Sequence, residues 1–400
     1  MVDTISENGL TLAFTKTTEE HLPVHYIFNK EAPPPECLGE PFINKEAINL
    51  LAPNVKHIAS KEYLLSLAMM TVSKDSQGSK ILTQKMSGRT TVVRHGLIEY
   101  ADNIGSIVIE KGGWLSGEKF VDGCNNSRID KDMTPWGLYG SKESLNDIKL
   151  STALVKNGFR AALSIGFIPL NPDKTRDWLL SKFEGNLKMK DAIDKSFLIV
   201  KDNGDIPVLD FRVGGVERRI DDYNSKSDIS VSRGFLAHSA RLIKEEMSKY
   251  PKKYKDALSK SENLDNYLLV LDKVGKRVPL NEKELVLYFD IYMAIGRNNK
   301  SSLEKFLRRR SWLDIGINDS FATYITQSKD IDFAGFTYDF EQAKITESRR
   351  DGLDLRDQKE LSKEYSINWF NFLDNWSDRV GSYILGGPRI DISWFRNNMI

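Results

Sequence analysis

One segment of the chain combines the residue types of an anion-binding or phosphoryl-transfer site. It is the β-branched run Thr90–Val93, which leads into Arg94, His95 and Gly96. Histidine is scarce, with five in 400 residues, so a histidine at this position stands out. An imidazole can attack phosphorus near neutral pH, and a guanidinium can bind two phosphate oxygens at once. The pattern predicts that a strand ends at Arg94 and that the following turn contacts an anion.

The six residues Thr91–Gly96 resemble the signature of the histidine phosphatase superfamily. The resemblance implies that His95 accepts the phosphoryl group and that Arg94 neutralises its oxygens. It also implies a second arginine downstream and a second histidine late in the fold, and order and distance along the chain leave Arg160 and His238 for these roles. In the alternative structural interpretation, Arg94 pairs with an acid such as Glu99 and His95 is hydrogen-bonded in a loop.

Clustered cations form a second group of candidates. The segment Lys305–Trp312 places Arg308, Arg309 and Arg310 at a predicted helix end beside two aromatic residues. Further pairs of cations occur elsewhere in the chain, namely Arg218, Arg219, Lys252 and Lys253. Arginine beside aromatic residues suits single-stranded nucleic acid, where phosphates take the charge and bases stack. The same pattern suits an acidic protein surface, or a helix C-terminus whose dipole favours cations.

These patterns support two main hypotheses for function. The first is an intracellular, non-enzymatic binding or assembly protein whose first candidate partner is single-stranded RNA, held by the clustered arginines. The alternative is a phosphate-handling enzyme, similar to the histidine phosphatases, centred on His95. An effector-type transferase with a divergent site is a further alternative, and we would look for it at Arg94 and in the loop from Gly112 to Gly140. The sequence leaves open whether the protein is an enzyme.

Composition excludes several classes of protein. Lys and Arg number 57 and Asp and Glu 56, and a net charge of +1 excludes a histone-like protein that coats duplex DNA. No apolar run approaches the 18 residues that indicate a membrane span. His21 and His25 lack a third ligand nearby and Pro23 separates them, so we predict no metal site, and the absence of a nucleotide-binding fingerprint predicts no cofactor. We therefore expect a soluble cytoplasmic protein, with oligomers possible.

The pattern of elements predicts an α+β fold, in which a mixed N-terminal half precedes a predominantly helical C-terminal half. We divide the chain into an N-terminal strand and loop arm (1–43), a mixed α+β domain (44–228) and a helical domain (229–400). Pro33–Pro35 predicts an extended polyproline segment near the first boundary.

Local signals predict the individual elements. Strands are expected at 106–109, 162–170, 197–200 and 208–213, and helices at 45–70, interrupted near Pro53, and at 141–158. Asn281 with Glu284, and Ser301 with Glu304, have the spacing of N-terminal capping pairs. His238 lies where a helix is expected to start.

Overall fold

The fold of this chain is given by a computed structural model. It describes residues 2–7, 10–15, 33–69, 81–83, 91–110, 139–182, 187, 190–191, 193–194, 205–215, 229–259, 263–308, 331–337, 355–377 and 385. Statements below concern these residues, and for 2–7, 10–15, 81–83, 91–96, 107–110, 139, 182, 229–232, 234 and 355–358 they concern the backbone alone.

An antiparallel sheet of seven strands forms the N-terminal half. Its strands are β3 (Phe42–Ile43), β4 (Ile81–Thr83), β5 (Thr91–Tyr100), β6 (Asn103–Glu110), β7 (Tyr139–Gly140), β8 (Leu163–Pro169) and β9 (Pro207–Gly214). The order across the sheet is β3-β8-β9-β6-β5-β4, and β7 pairs with β9. A separate hairpin joins β1 (Val2–Glu7) to β2 (Leu10–Thr15). The strands predicted at 106–109, 162–170 and 208–213 are confirmed, whereas 197–200 lies outside the described residues.

Strand β5 does not end at Arg94, so that prediction is wrong. The strand continues to Tyr100 and turns back into β6 through Ala101 and Asp102, whose φ angles are 42° and 60°. Two successive positive φ angles match the twist of a two-residue hairpin, which explains why the chain reverses there. Ile98 and Tyr100 are fully buried, and their burial continues the strand past the polar Arg94 and His95.

Helices cover the sheet and make up the C-terminal half. They are α1 (Lys45–Leu50), α2 (Lys61–Ala68), α3 (Ser141–Lys156), α4 (Pro172–Lys182), α5 (Ile229–Lys249), α6 (Pro251–Lys255), α7 (Leu264–Gly275), α8 (Glu282–Arg308) and α9 (Leu355–Trp376). A 3₁₀ helix at Pro53–Ala59 separates α1 from α2, which confirms the interruption near Pro53. A second 3₁₀ helix begins at Pro35, so the polyproline conformation extends only to Pro34 (φ −54°, ψ 146°).

The helix ends follow their local signals in two of the predicted places. Asn281 and Glu284 each accept the other's backbone N–H, at 3.0 Å, and form a capping box at the start of α8. Gly158 has a φ of 88° just after α3, a conformation that glycine adopts without strain. The predicted start at Ser301 is wrong, because α8 runs unbroken through it. The buried side chains of Asn299, Ser302 and Leu303 continue the packed face of the helix.

The hydrophobic core draws on both halves of the chain. One buried cluster includes Phe211 and Val213 of the sheet together with Leu242 and Ile243 of α5. In the C-terminal half, Trp376 packs against the rings of Tyr288, Phe289 and Tyr292, with centroids 4.8 to 5.3 Å apart. The structure is thus α+β, as predicted, with strands concentrated in the first half and helices in the second. No helix among the described residues is long and apolar enough to cross a membrane.

Candidate functional site

The packing of α5 against β6 brings together chemistry-bearing residues that are far apart in sequence. His238 lies in the middle of α5 rather than at its start, which corrects the expected position of the helix start. Its Nε2 is 3.1 Å from the Oγ of Ser106 on β6, a residue 132 positions away. Ser106 is 2% exposed and His238 is partly exposed. A hydroxyl in hydrogen-bond reach of an imidazole is the arrangement that activates a nucleophile.

A bulge in β5 lies beside this pair. Val93 pairs with Ile107 and Ile98 with Gly105, so four residues of β5 (94–97) stand opposite a single residue of β6, Ser106. Arg94, His95 and Gly96 thus belong to the irregular part of the β5–β6 pair that also contains Ser106. Bulges of this kind interrupt the ladder and occur next to active sites. The backbone register thus puts the predicted motif and His238 in one region, and the predicted roles of the Arg94 and His95 side chains lie outside the described residues.

Further along the contact between β6 and α5, Glu246 forms the centre of a buried ion network. Its two carboxylate oxygens accept hydrogen bonds from the Lys253 ammonium (2.7 Å), the Tyr254 hydroxyl (2.7 Å), the backbone N–H of Ile104 (3.0 Å) and the Arg160 guanidinium. Glu246 and Arg160 have almost no solvent contact. Burial of two full charges is tolerated only when they are paired and hydrogen-bonded, and this carboxylate has four donors.

The pKa values of the network follow from burial and from the charges. Burial raises the pKa of Glu246, but the charges of Arg160 and Lys253 outweigh it and lower that pKa to about 2. For Lys253 the balance is the opposite, because burial lowers the pKa of the ammonium more than Glu246 raises it. Burial likewise raises the pKa of the Tyr254 hydroxyl well above its usual range. Near neutral pH Glu246 is therefore an anion, and Tyr254 is a neutral donor to it.

Arg160 connects this network to the C-terminal half of the chain. Its Nε donates to the carbonyl of Ala334 (2.8 Å), its guanidinium carbon lies 4.1 Å from the centre of the Phe336 ring, and its backbone N–H donates to Asn299 (2.9 Å). Its charge is thus committed to the ion pair with Glu246. Glu246 follows His238 by eight residues of α5, a distance of about 12 Å along the axis.

A second buried charge cluster shares a sheet face with Ser106. The Nε of Arg212 on β9 lies 2.7 Å from an oxygen of Asp210 and 3.3 Å from an oxygen of Asp147 on α3. Ser106 pairs with Gly214 of β9, and Arg212 is two residues from Gly214, so Arg212 and Ser106 point to the same side of the sheet. Among the residues that the structure describes, two carboxylates thus contact the Arg212 guanidinium.

The cations predicted to bind nucleic acid are found in different environments. Lys252 is exposed on α6, whereas the ammonium of its neighbour Lys253 donates to Glu246 and to Asn103. Arg308, whose side chain is 73% exposed, ends α8 and pairs with Glu304 one turn earlier at 3.4 Å. Four other predicted cations, namely Arg218, Arg219, Arg309 and Arg310, lie outside the described residues.

Three central residues, Ser106, Glu246 and Arg212, were missed in the sequence analysis. Glu246 had a detectable signal, because it shares a helical face with the apolar Leu242 and Ile243, where a charge needs a buried partner. Arg212 had one as well, since it alternates with apolar residues in a strand that is buried along its whole length. Ser106 had none, because a serine in a strand is common and its contact to His238 depends on tertiary packing.

Comparison with known protein families, with curated proteins and with solved structures finds no match to this chain.

Proposed function

We propose that this protein binds single-stranded nucleic acid, with RNA as the first candidate, through cations on α6 and at the end of α8. The observation that carries the proposal is the exposure of Arg308 immediately before Arg309 and Arg310. Its pairing with Glu304 is a surface contact between residues one turn apart, worth about 0.3–0.5 kcal/mol. A phosphate could replace that carboxylate at little cost in free energy.

The packing of α6 on α8 sets the spacing of these cations. Asn298 donates to the carbonyl of Lys253 at 2.9 Å, and Arg297 donates to the carbonyl of Ala257 at 2.7 Å. These bonds hold α6, with the exposed Lys252, beside the middle of α8. Arg308 follows Asn298 by ten residues, about 15 Å along the helix axis. A spacing of that order suits an extended strand that contacts both ends of the surface through several phosphates.

The experiment measures the affinity for a fluorescein-labelled uridine oligonucleotide of 20 nucleotides at increasing salt, by fluorescence anisotropy. For single strands the slope of log K against log salt is about 0.7 per neutralised phosphate, so replacing Arg308, Arg309 and Arg310 by Ala should reduce it by about 2. Lys156→Ala, an exposed lysine on α3, serves as the control and should leave the slope unchanged. No binding at low salt, or equal slopes for the wild type and the triple variant, would contradict the proposal.

A phosphate-handling enzyme centred on His95 is the second candidate. The observation that favours it is the register of β5 and β6, which sets the backbone of His95 opposite Ser106 and hence near His238. Hydrolysis of para-nitrophenyl phosphate should then be lost in His95→Ala and retained in His57→Ala, a histidine of the 3₁₀ helix at Pro53–Ala59. Equal rates of para-nitrophenyl phosphate hydrolysis for the wild type and His95→Ala would contradict this second candidate function.

A further inference from the structure

We infer that Ser106 and His238 are the nucleophile and the general base of a serine-type esterase site between β6 and α5. The inference is independent of nucleic-acid binding, and it differs from the second candidate function in its nucleophile and its substrate. Its first support is the 3.1 Å contact between Ser106 Oγ and His238 Nε2, which lies within the range required for proton transfer.

The position of Ser106 in the sheet is the second support. On one side Ser106 pairs with Gly214 of β9. On the other side its two neighbours on β6 have partners on β5, because Ile107 pairs with Val93 and Gly105 pairs with Ile98. Ser106 lies between these two pairs, where the register of β5 shifts. The four β5 residues at this point (94–97) have no place in the regular ladder, and we assign their backbone N–H groups as the oxyanion donors. Backbone N–H groups held next to a nucleophile are the usual donors of an oxyanion hole. A nucleophile, a base and candidate oxyanion donors thus meet in one place.

The local charges favour a carbonyl substrate over a phosphoryl one. On the same sheet face, about 7–8 Å from Ser106, lies Arg212, diagonally across the pair of strands. Asp147 and Asp210 both contact that guanidinium, so its positive charge is already paired with carboxylates. A guanidinium held in this way attracts a phosphate dianion only weakly, whereas a neutral ester needs no cation for binding. We therefore assign a carboxylic ester as the substrate class.

The reaction balances with the groups present. Ser106 Oγ attacks the carbonyl carbon and forms a C–O bond while His238 Nε2 takes the hydroxyl proton. The carbonyl oxygen becomes an oxyanion beside the β5 backbone. The intermediate collapses, the bond to the leaving alcohol breaks, and the alcohol takes the proton from His238. Water then attacks the acyl group while His238 Nε2 takes its proton. The Ser106–acyl bond breaks, His238 returns that proton to Ser106 Oγ, and the acid is released.

The test uses a fluorophosphonate probe, which transfers its phosphonyl group to an activated serine with loss of fluoride, followed by mass spectrometry of the labelled peptide. We expect label on Ser106, no label on that peptide in Ser106→Ala, and labelling slowed at least about 100-fold in His238→Gln. Ser239→Ala is the matched control, because Ser239 is a buried serine of α5 whose hydroxyl donates to the carbonyl of Phe235. That variant should be labelled like the wild type.

Hydrolysis of para-nitrophenyl acetate provides the second readout, with circular dichroism as the check that each variant folds. Hydrolysis lost in Ser106→Ala and kept in Ser239→Ala supports the inference. An unlabelled Ser106 in the folded wild type, or label and hydrolysis that persist in Ser106→Ala, would overturn it. Phosphate-ester hydrolysis that depends on His95 and is indifferent to Ser106→Ala would also overturn it, and would establish the second candidate function instead.

Discussion

Replacing Glu246 by Gln removes one charge from the buried network and leaves the shape of the side chain nearly unchanged. The Arg160 guanidinium and the Lys253 ammonium would then face a neutral amide, in a region where Arg160 is 2% exposed. One of the two carboxylate oxygens becomes an amide nitrogen, which cannot accept a bond from Lys253, Tyr254 or Arg160. The variant therefore leaves buried cations without a compensating charge.

The magnitude follows from measured losses in other buried pairs. Removal of one partner of a buried ion pair costs about 3–5 kcal/mol, because the remaining charge stays desolvated. The entropy of unfolding is about 2.1 cal/mol/K per residue, which for a chain of 400 residues gives about 0.8 kcal/mol/K. A loss of about 4 kcal/mol should therefore lower Tm by about 5 °C if the chain unfolds as one unit.

Thermal and urea unfolding, followed by circular dichroism, measure this loss. Glu46→Gln is the matched control, because Glu46 makes the same kind of contact with Lys156 while both side chains stay exposed. An exposed pair contributes less than about 1 kcal/mol, so this control should shift Tm by about 1 °C or less. Equal shifts in the two variants would refute the conclusion that the Glu246 network stabilises the fold.

The pH dependence supplies an independent check. The folded-state pKa of Glu246 is lowered to about 2 from its usual 4.5, because Arg160 and Lys253 outweigh the cost of burial. A carboxylate with a lowered pKa stabilises the folded state fully above pH 4.5 and loses that contribution as the pH falls towards 2. The stability difference between the wild type and Glu246→Gln should therefore narrow between pH 5 and pH 2. A difference that stays constant over this range would contradict the assigned ionisation.

Three further predictions test the packing and the polar contacts. Gly296→Ala places a Cβ 2.2 Å from Nε1 of Trp369 and should lower the free energy of unfolding, measured with urea, by about 1–3 kcal/mol. Gly275→Ala is the control, because its Cβ meets the flexible side chain of Arg241 at 3.3 Å. The free energy of unfolding of this variant should stay within about 1 kcal/mol of the wild type. Equal effects of the two changes would contradict the packing of α8 against α9. Lys253→Met should lower the free energy of unfolding less than Glu246→Gln in the same assay. Burial disfavours the charged ammonium, as its lowered pKa shows, so replacing Lys253 with an apolar side chain also removes that cost. A larger loss of stability in Lys253→Met would refute this ranking. Asp332→Ala removes the acceptor of the backbone N–H groups of Ala334 (2.8 Å) and Phe336 (3.0 Å) and should lower the free energy of unfolding by about 3 kcal/mol. Asp332→Asn keeps an acceptor oxygen, so its loss of stability should be clearly smaller.

Much of the fold could be predicted from local sequence signals. The apolar runs of β8 and β9 identified two buried strands, and Asn281 with Glu284 marked the start of α8. These predictions succeed because strand burial and helix capping depend on residues a few positions apart. The helix start predicted at Ser301 is wrong for a related reason. Ser301 and Glu304 have the spacing of a capping pair, but they lie inside a packed helix where no cap is needed.

The candidate site could be predicted only in part. His238 and the segment Arg94–Gly96 were identified from residue type, and the register of β5 and β6 places the segment opposite Ser106, the partner of His238. Arg160 was also identified, but its charge is paired with Glu246, 86 residues away. The position of Glu246 on an apolar helical face indicated a buried partner, but which cation pairs with it depends on tertiary packing.

The sequence by itself determined the α+β class, the main strands and helices, and the scarcity of histidine that drew attention to His95 and His238. Tertiary structure decided that β5 bulges instead of ending, that Ser106 meets His238, and that Arg160 and Lys253 converge on one carboxylate. The physical reason is that a contact across 132 residues depends on strand register and on the packing of α5 against β6, neither of which a local pattern encodes. The register around Ser106 is set by one bulge, in which four residues of β5 stand opposite a single residue of β6.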